Sequence, residues 1–263
     1  SGVEAIHLAS AKIQAGMADC IIAGGAESMS LVPVMGWKTA LNYRIAKEHP
    51  DYYTSMGLTA EQIARQYKVS REDQDKFAFD SHMKAIEAQK AGKFKEEIHP
   101  ISTEEVYVDD TGKKKSRSMI VDTDEGPRPE TSMDALAKLK PVFAVGGSVT
   151  AGNSSPTNDG AAFAVVMSEK MLKQLNIKPI ARMISYAVAG VDPRIMGIGP
   201  VAAVPKALQR AGLKLKDIDL IELNEAFAAQ SLAVIRTLEL DPGKVNVNGG
   251  AIAMGHPLGS SGA

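Results

Sequence analysis

The stretch "DIDLIELNEAF", Asp217 to Phe227, decides how this chain is built. Ile218, Leu220, Ile221 and Leu223 form an apolar run of strand length that stops at Asn224, and a helical pattern follows to about Leu238. A short strand turning directly into a helix is the repeating unit of α/β architecture. Upstream, "VAAVPKALQRAG" reads as a helix closed by Gly212. Downstream, "KVNVNGGAIAMGHPLGSSGA" reads as a short strand, a glycine turn and the first turn of a helix around Pro257. The order of helix, strand and glycine recurs at the start. There Val3, Ile6, Ala9 and Ile13 share one helical face, Gly16 stops the helix, and "CIIAGG" reads as a buried strand. The recurrence hints at two related halves.

Residues 31 to 150 differ in character. Their aromatics are scattered without a clean period, a helical region begins near Leu58, and Ser70 with Asp73 at capping-box spacing opens a helix that runs to Gly92. "EEIHPISTEEVYVDDTGKKKSRSMIV" alternates apolar and polar residues about Asp-Thr-Gly, which predicts a β-hairpin with Lys113, Lys114, Lys115 and Arg117 at its turn. After Thr150 the α/β rhythm resumes. "TAGNSSPTNDGAAFAVVMSE" reads as a glycine-rich loop and a strand, "MLKQLNI" as a helix, and "ARMISYAVAGV" as a further strand.

Composition narrows the function. The 263 residues are 44% hydrophobic and 23% charged, with a formal net charge of -1. This is a globular composition, and the charge argues against a chain that mainly holds nucleic acid or a membrane surface. No apolar run approaches the roughly 20 residues that span a bilayer, and the start lacks the pattern of a secretory signal. The single cysteine, Cys20, excludes an internal disulfide framework and fits a reducing compartment, cytoplasm or organelle matrix. Cys20 lies in an apolar strand pattern, where a thiolate is disfavoured. His7, His49, His82 and His99 stand singly, so no metal site is expected. "GIGPVA" at Gly197 to Ala202 matches a dinucleotide pattern, but Asp192 to Met196 separate it from the preceding strand, so no nicotinamide or flavin cofactor is expected.

In α/β sheets ligands collect at the carboxyl ends of strands. Asn224 stands at such an end with Glu225 beside it, and its amide both donates and accepts, although it reads equally as a helix N-cap. His256 stands between glycines, where a substrate can approach the imidazole closely, and histidine shuttles protons near neutral pH; it reads equally as a turn histidine. Asn153, Ser154, Ser155, Asn158 and Asp159 could cradle a polar ligand, or simply be good turn formers.

"SGVEAI", "IIAGGAESMS", "MGLTAE", "DEGPRPETSMDALAKLKPVF", "TAGNSSPTNDGAA", "NEAFAAQ" and "NGGAIAMGHPLGSSGA" occur in this order along the whole chain, and together they resemble the thiolase family. The resemblance implies an α/β thiolase fold, five-layered α-β-α-β-α, of two similar halves with an inserted loop domain. Residues 1–30 and 150–168 would belong to the first half, 31–149 to the loop domain and 169–263 to the second half. It implies an acyltransferase cleaving 3-oxoacyl-coenzyme A with coenzyme A to acyl-coenzyme A and acetyl-coenzyme A through an acyl-cysteine, with these thioesters as substrates, no cofactor, and a homodimer or homotetramer that could work beside a β-oxidation enzyme. His256 would activate the thiol, and Asn224 would hold a water that completes an oxyanion hole. Ser155 would contact pantetheine, while Phe227 and Met56 would line the pocket.

By the motif the nucleophilic cysteine would lie two positions before Ser1 and a second catalytic cysteine beyond Ala263, so this piece alone is expected to be inactive and to leave sheet edges bare. Ser55-Met56-Gly57 stands where short-chain biosynthetic members carry His-Met-Gly, which favours β-oxidation over acetoacetyl-coenzyme A synthesis. The rivals are a non-catalytic coenzyme A- or lipid-binding protein on the same scaffold and a condensing enzyme acting on carrier-protein thioesters.

Overall fold

The structure, a computed structural model, describes residues 2–34 and 36–263. The chain starts in helix α1, Gly2–Gln14, which ends before Gly16 in a left-handed conformation and leads into strand β1, Cys20–Ser28. β1 pairs antiparallel with β4, Asp159–Met167, from Cys20 opposite Met167 to Ser28 opposite Asp159. Successive residues of a strand face opposite sides. Ala23 and its same-face neighbours meet α1, while Ile22, Phe163 and Val165 on the other face are 71%, 62% and 57% exposed. Cys20 is also exposed, at the outer end of β1, so the buried environment read from its apolar neighbours does not hold.

Between these strands lie helices α2, Tyr43–Glu48, α3, Met56–Gln66, α4, Arg71–Lys90, and α5, Met133–Ala137. Ser70 caps α4 by accepting the Asp73 N–H, as its spacing predicts. The hairpin of β2, Ile101–Val108, and β3, Lys114–Val121, forms about the Asp109–Gly112 turn, whose backbone the Asp109 carboxylate ties to Thr111 and Lys113. Lys113 closes that turn, whereas Lys114, Lys115 and Arg117 lie along β3. After β4 follow α6, Glu169–Leu175, α7, Gly199–Ala211, and α8, Ala228–Thr237, before α9, Ala251–Met254.

Three expected strands are absent as ladders among the described residues, the short one at "KVNVN" being reduced to isolated bridges at Val245 and Val247. "ARMISYAVAGV" runs without strand pairing and is held instead by side chains: the Ser185 hydroxyl donates to Ala207 O, and the Tyr186 ring stacks on His7 with centroids 4.2 Å apart. The segment that ends at Asn224 makes only a single bridge, Ile221 to Val245. At the end of the chain a hydrogen-bonded turn does form at Pro257, whose carbonyl accepts the Ser260 and Ser261 N–H groups at 3.0 Å each, and the short helix α9 precedes it.

The core lies where α3, α4, α5, α8 and α9 meet. Ala60 and Ala64 of α3 face Ala229 of α8, while Ala78 of α4 and Ile252 of α9 meet Ala228 and Leu136. Alanines let helices approach closely, and fully buried chains such as Ile63 and Val234 each contribute about 1.5–3 kcal/mol. No helix among the described residues is long and apolar enough to cross a membrane.

Candidate active site

Asn224 ends an extended segment fastened to the 244–246 loop. Ile221 N–H donates to Lys244 O and Asn246 N–H to Ile221 O, both at 2.9 Å. The Asn246 amide closes on Leu223, accepting its N–H and donating to its C=O at 2.8 Å each. Gln230 of α8 holds the other side, donating to Asn224 O at 3.1 Å and accepting the Phe227 N–H at 3.2 Å. With its backbone fixed, Asn224 leaves its amide exposed. It is not the N-cap of α8; Phe227 occupies that place, with Gln230 answering its backbone.

His256 follows α9 through Gly255, whose φ of +102° is open to glycine and rarely to other residues, and where a Cβ would collide with the Asn158 side chain. The imidazole Nε2 lies 3.2 Å from Asn224 Nδ2, and Nδ1 lies 2.7 Å from the Ser261 hydroxyl, which can donate onward to Pro257 O at 2.9 Å. An amide NH2 only donates, so the network assigns the ring proton to Nδ1 and the lone pair to Nε2. Burial of the half-buried ring holds its pKa below the ordinary histidine value, which keeps it neutral at pH 7 with a lone pair free to take a proton.

The turn carrying His256 sits on β1. Gly259 N–H donates to the Glu27 carboxylate at 3.1 Å, and a side chain at Gly25 would collide with Gly259. Its far end reaches α1, where a side chain at Gly2 would run into Gly262 and Ala263. The chain's first helix thus begins beside the histidine turn. Cys20 is seven residues along β1 from Glu27, roughly 23 Å at strand rise.

Ser155 joins the site through Ala226, whose carbonyl accepts both its N–H and its hydroxyl at 3.0 Å. Phe227 lies edge-on to Phe143 with ring centroids 5.9 Å apart. Phe143 in turn covers Gly57, next to the exposed Met56 at the start of α3. The structure therefore gathers Asn224, His256, Ser155 and Phe227, and links Met56 to them through Phe143. Three other polar residues of the glycine-rich loop serve the fold, while Asn158 packs against Gly255. Asn153 is buried on Asp75 and Ser148 O, Ser154 donates to Thr150 O, and Asp159 accepts from Ser30. His82 is buried too, accepting the Arg128 N–H on Nδ1.

Phe143 and Ser261 are not singled out by the sequence reading, and Glu225 enters it only as the residue beside Asn224. Phe143 ends "KLKPVF" in a chain with only six phenylalanines, and Ser261 is one of several serines near a histidine, so only the first left a usable signal. Of two hollows of about 390 and 470 Å³, one lies beside Glu61, Arg65 and Ser148, and the other beside His82, Arg128 and Glu130, reaching Ser154, Pro156 and Asn158 next to Ser155. Neither is lined by Asn224 or His256, and the convergence of functional groups is the better guide to chemistry.

Comparison with known proteins places the whole chain in a family. The thiolase N-terminal domain family matches residues 1–170 and the thiolase C-terminal domain family residues 177–263. The chain is 52% identical over 262 residues to a 3-ketoacyl-CoA thiolase of Bacillus subtilis, covering all of this chain and 67% of that protein. It is 50% identical over 276 residues to an acetyl-CoA acetyltransferase of Pseudomonas aeruginosa, covering 68% of it. Human mitochondrial 3-ketoacyl-CoA thiolase superimposes with a TM-score of 0.87 at 42% identity, over all of this chain and 67% of that one. The dimeric peroxisomal thiolase of Saccharomyces cerevisiae superimposes with a TM-score of 0.89 at 40% identity, over 65% of its chain. This chain spans about two thirds of the length of these relatives, and it belongs to the thiolase family of acyltransferases.

Proposed function

We propose that the chain carries the proton shuttle and oxyanion donor of a thiolase that cleaves 3-oxoacyl-coenzyme A with coenzyme A. The observation that carries this reading is the approach of Asn224 Nδ2 to His256 Nε2 at 3.2 Å, beside the start of α1. A cysteine two positions before Ser1 would lie near the N-terminal end of that helix, where partial positive charge favours a thiolate. His256 Nε2 takes the thiol proton, and the sulfur attacks the 3-keto carbon. The bond between C2 and C3 then breaks, and a second cysteine protonates the departing acetyl-coenzyme A enolate. Coenzyme A gives its thiol proton to that second cysteine, attacks the acyl-enzyme and frees the first sulfur, which recovers its proton from His256. An oxygen placed against both Asn224, through its water, and protonated His256 receives donors as charge develops on it.

Ser155 holds the pantetheine chain, and Phe227, Phe143 and Met56 wall the approach. Ser55 in place of the histidine of short-chain biosynthetic members favours degradation of longer 3-oxoacyl thioesters in β-oxidation. The relatives do not separate the two roles, since identities of 52% and 50% go to one protein of each name. The deciding experiment is coenzyme A-dependent thiolysis by the polypeptide that carries this chain with both cysteines, comparing acetoacetyl-coenzyme A with a long-chain 3-oxoacyl-coenzyme A. Turnover of the long substrate is expected; activity confined to acetoacetyl-coenzyme A makes the enzyme a short-chain acetyltransferase. The 263 residues alone are expected to form no acyl-enzyme, because Cys20 is roughly 23 Å of strand from the histidine turn.

A further inference from the structure

We infer that Glu225 is a positioning residue that sets the spacing between Asn224 and His256, by joining with one buried carboxylate the two backbone segments that carry them. The inference rests on the thiolase reading above. Glu225 follows Asn224 on an extended stretch and points the opposite way, into the interior, where it is 1% exposed. Its Oε2 accepts the Ser81 hydroxyl at 2.6 Å and the Ile252 N–H at 3.2 Å, and Oε1 accepts Asn246 Nδ2 at 2.8 Å. Ser81 itself accepts the Gly250 N–H at 3.1 Å. Ile252 lies in α9, four residues before His256, and Asn246 clasps Leu223, the residue before Asn224. One carboxylate thereby ties both sides of the catalytic pair to each other and to α4.

The packing leaves no slack. A side chain at Gly250 would collide with the Glu225 carboxyl group, so α9 lies directly on it. All three partners donate, which requires an acceptor at every oxygen. Glutamine has the same shape, but its amide NH2 must face Asn246 Nδ2 or the Ser81 and Ile252 donors, and one hydrogen bond becomes a clash of donors. Burial raises the pKa of the group while the three donors oppose that rise. Misplacement of a catalytic pair by a fraction of an ångström to 1 Å lowers rate without touching distant substrate contacts.

The test uses the polypeptide carrying this chain with both cysteines, assayed well below each variant's melting temperature. Glu225→Gln is expected to lower kcat about 10- to 100-fold while KM for the acyl thioester stays within about twofold. The pH profile for alkylation of the nucleophilic cysteine by iodoacetamide is expected to shift upward, since the imidazole no longer meets the thiol squarely. Ser81→Ala, which removes one donor at the far end of the network, is expected to show a smaller loss of the same kind. A lowered melting temperature with unchanged kcat and an unchanged alkylation profile overturns the inference. If Glu225→Gln does not fold, an unchanged kcat in Ser81→Ala overturns it equally. The thiolase reading fails separately, through an inactive unmodified enzyme or a His256→Ala variant that keeps its turnover.

Discussion

The β2–β3 hairpin and the joint between Asn224 and His256 are built by opposite means. The hairpin is regular, with eight residues of each strand in register, and almost all of it faces solvent. Its ion pairs, Arg117 with Glu105 and Lys115 with Asp109, lie at the surface. The joint has little regular structure around the pair itself, two isolated parallel bridges and a four-residue helix, yet Glu225, Ser81 and Asn246, which hold it, are at most 2% exposed. Backbone ladders satisfy the hairpin, while buried side chains satisfy the joint. Regularity can be lost locally without much cost, whereas each partner in a buried polar network leaves others unpaired when it goes.

The joint should therefore be the place where single changes matter most. His256→Ala removes both the base and the later oxyanion donor, and kcat should fall about 10²- to 10⁴-fold. Asn224→Ala removes one donor, and a loss of about 10²- to 10³-fold is expected. The double variant should lose far less than the product of the two, because the pair acts on one oxygen as a unit. Thiolysis rates for the three variants measure this directly. A fully multiplicative loss would mean that the 3.2 Å approach of the two side chains has no part in catalysis.

A smaller effect follows from the histidines that the fold buries. His82 and His256 both have pKa values held below the ordinary value by burial, with Arg128 adding to the effect at His82 and Glu130 opposing it. A histidine with a lowered folded pKa binds fewer protons folded than unfolded. Its stabilising contribution is present above pH 6.5 and is lost as pH falls through the folded value. Glu225 and Glu222 run the other way, since burial raises their pKa values and their contribution is lost as pH rises. Urea unfolding of the unmodified protein and of His82→Gln between pH 5 and 8 isolates the histidine part. The difference in midpoint between the two proteins should shrink toward acid pH, and a difference independent of pH would sink the assignment.

The same contrast explains what could be read before any coordinates. Period and capping made α4 and the hairpin legible, because Ser70 with Asp73 and the Asp-Thr-Gly turn act locally. Asn224 was legible from its place at the end of an apolar run, and His256 from its residue type and neighbouring glycines. "ARMISYAVAGV" misled because its apolar residues resemble a strand although no ladder partner lies beside it among the described residues. Glu225 was hidden for a different reason. Its partners are 144, 21 and 27 residues away along the chain, and no local pattern records such pairings.

The smallest expected effect returns to the hairpin. Arg117 bonds Glu105 across the strands and lies over the Tyr107 ring, 5.8 Å from its centroid, with its side chain 66% exposed. An exposed pair of this kind contributes about 0.2–1 kcal/mol, because water solvates both charges when the pair is broken. Arg117→Ala should therefore change the urea midpoint by the equivalent of no more than about 1 kcal/mol and leave kcat untouched. A kcat loss in Arg117→Ala would show that the hairpin reaches the bound thioester. The basic row on β3 would then be part of the substrate path, and the division between a regular exposed region and an irregular buried one would no longer divide scaffold from chemistry.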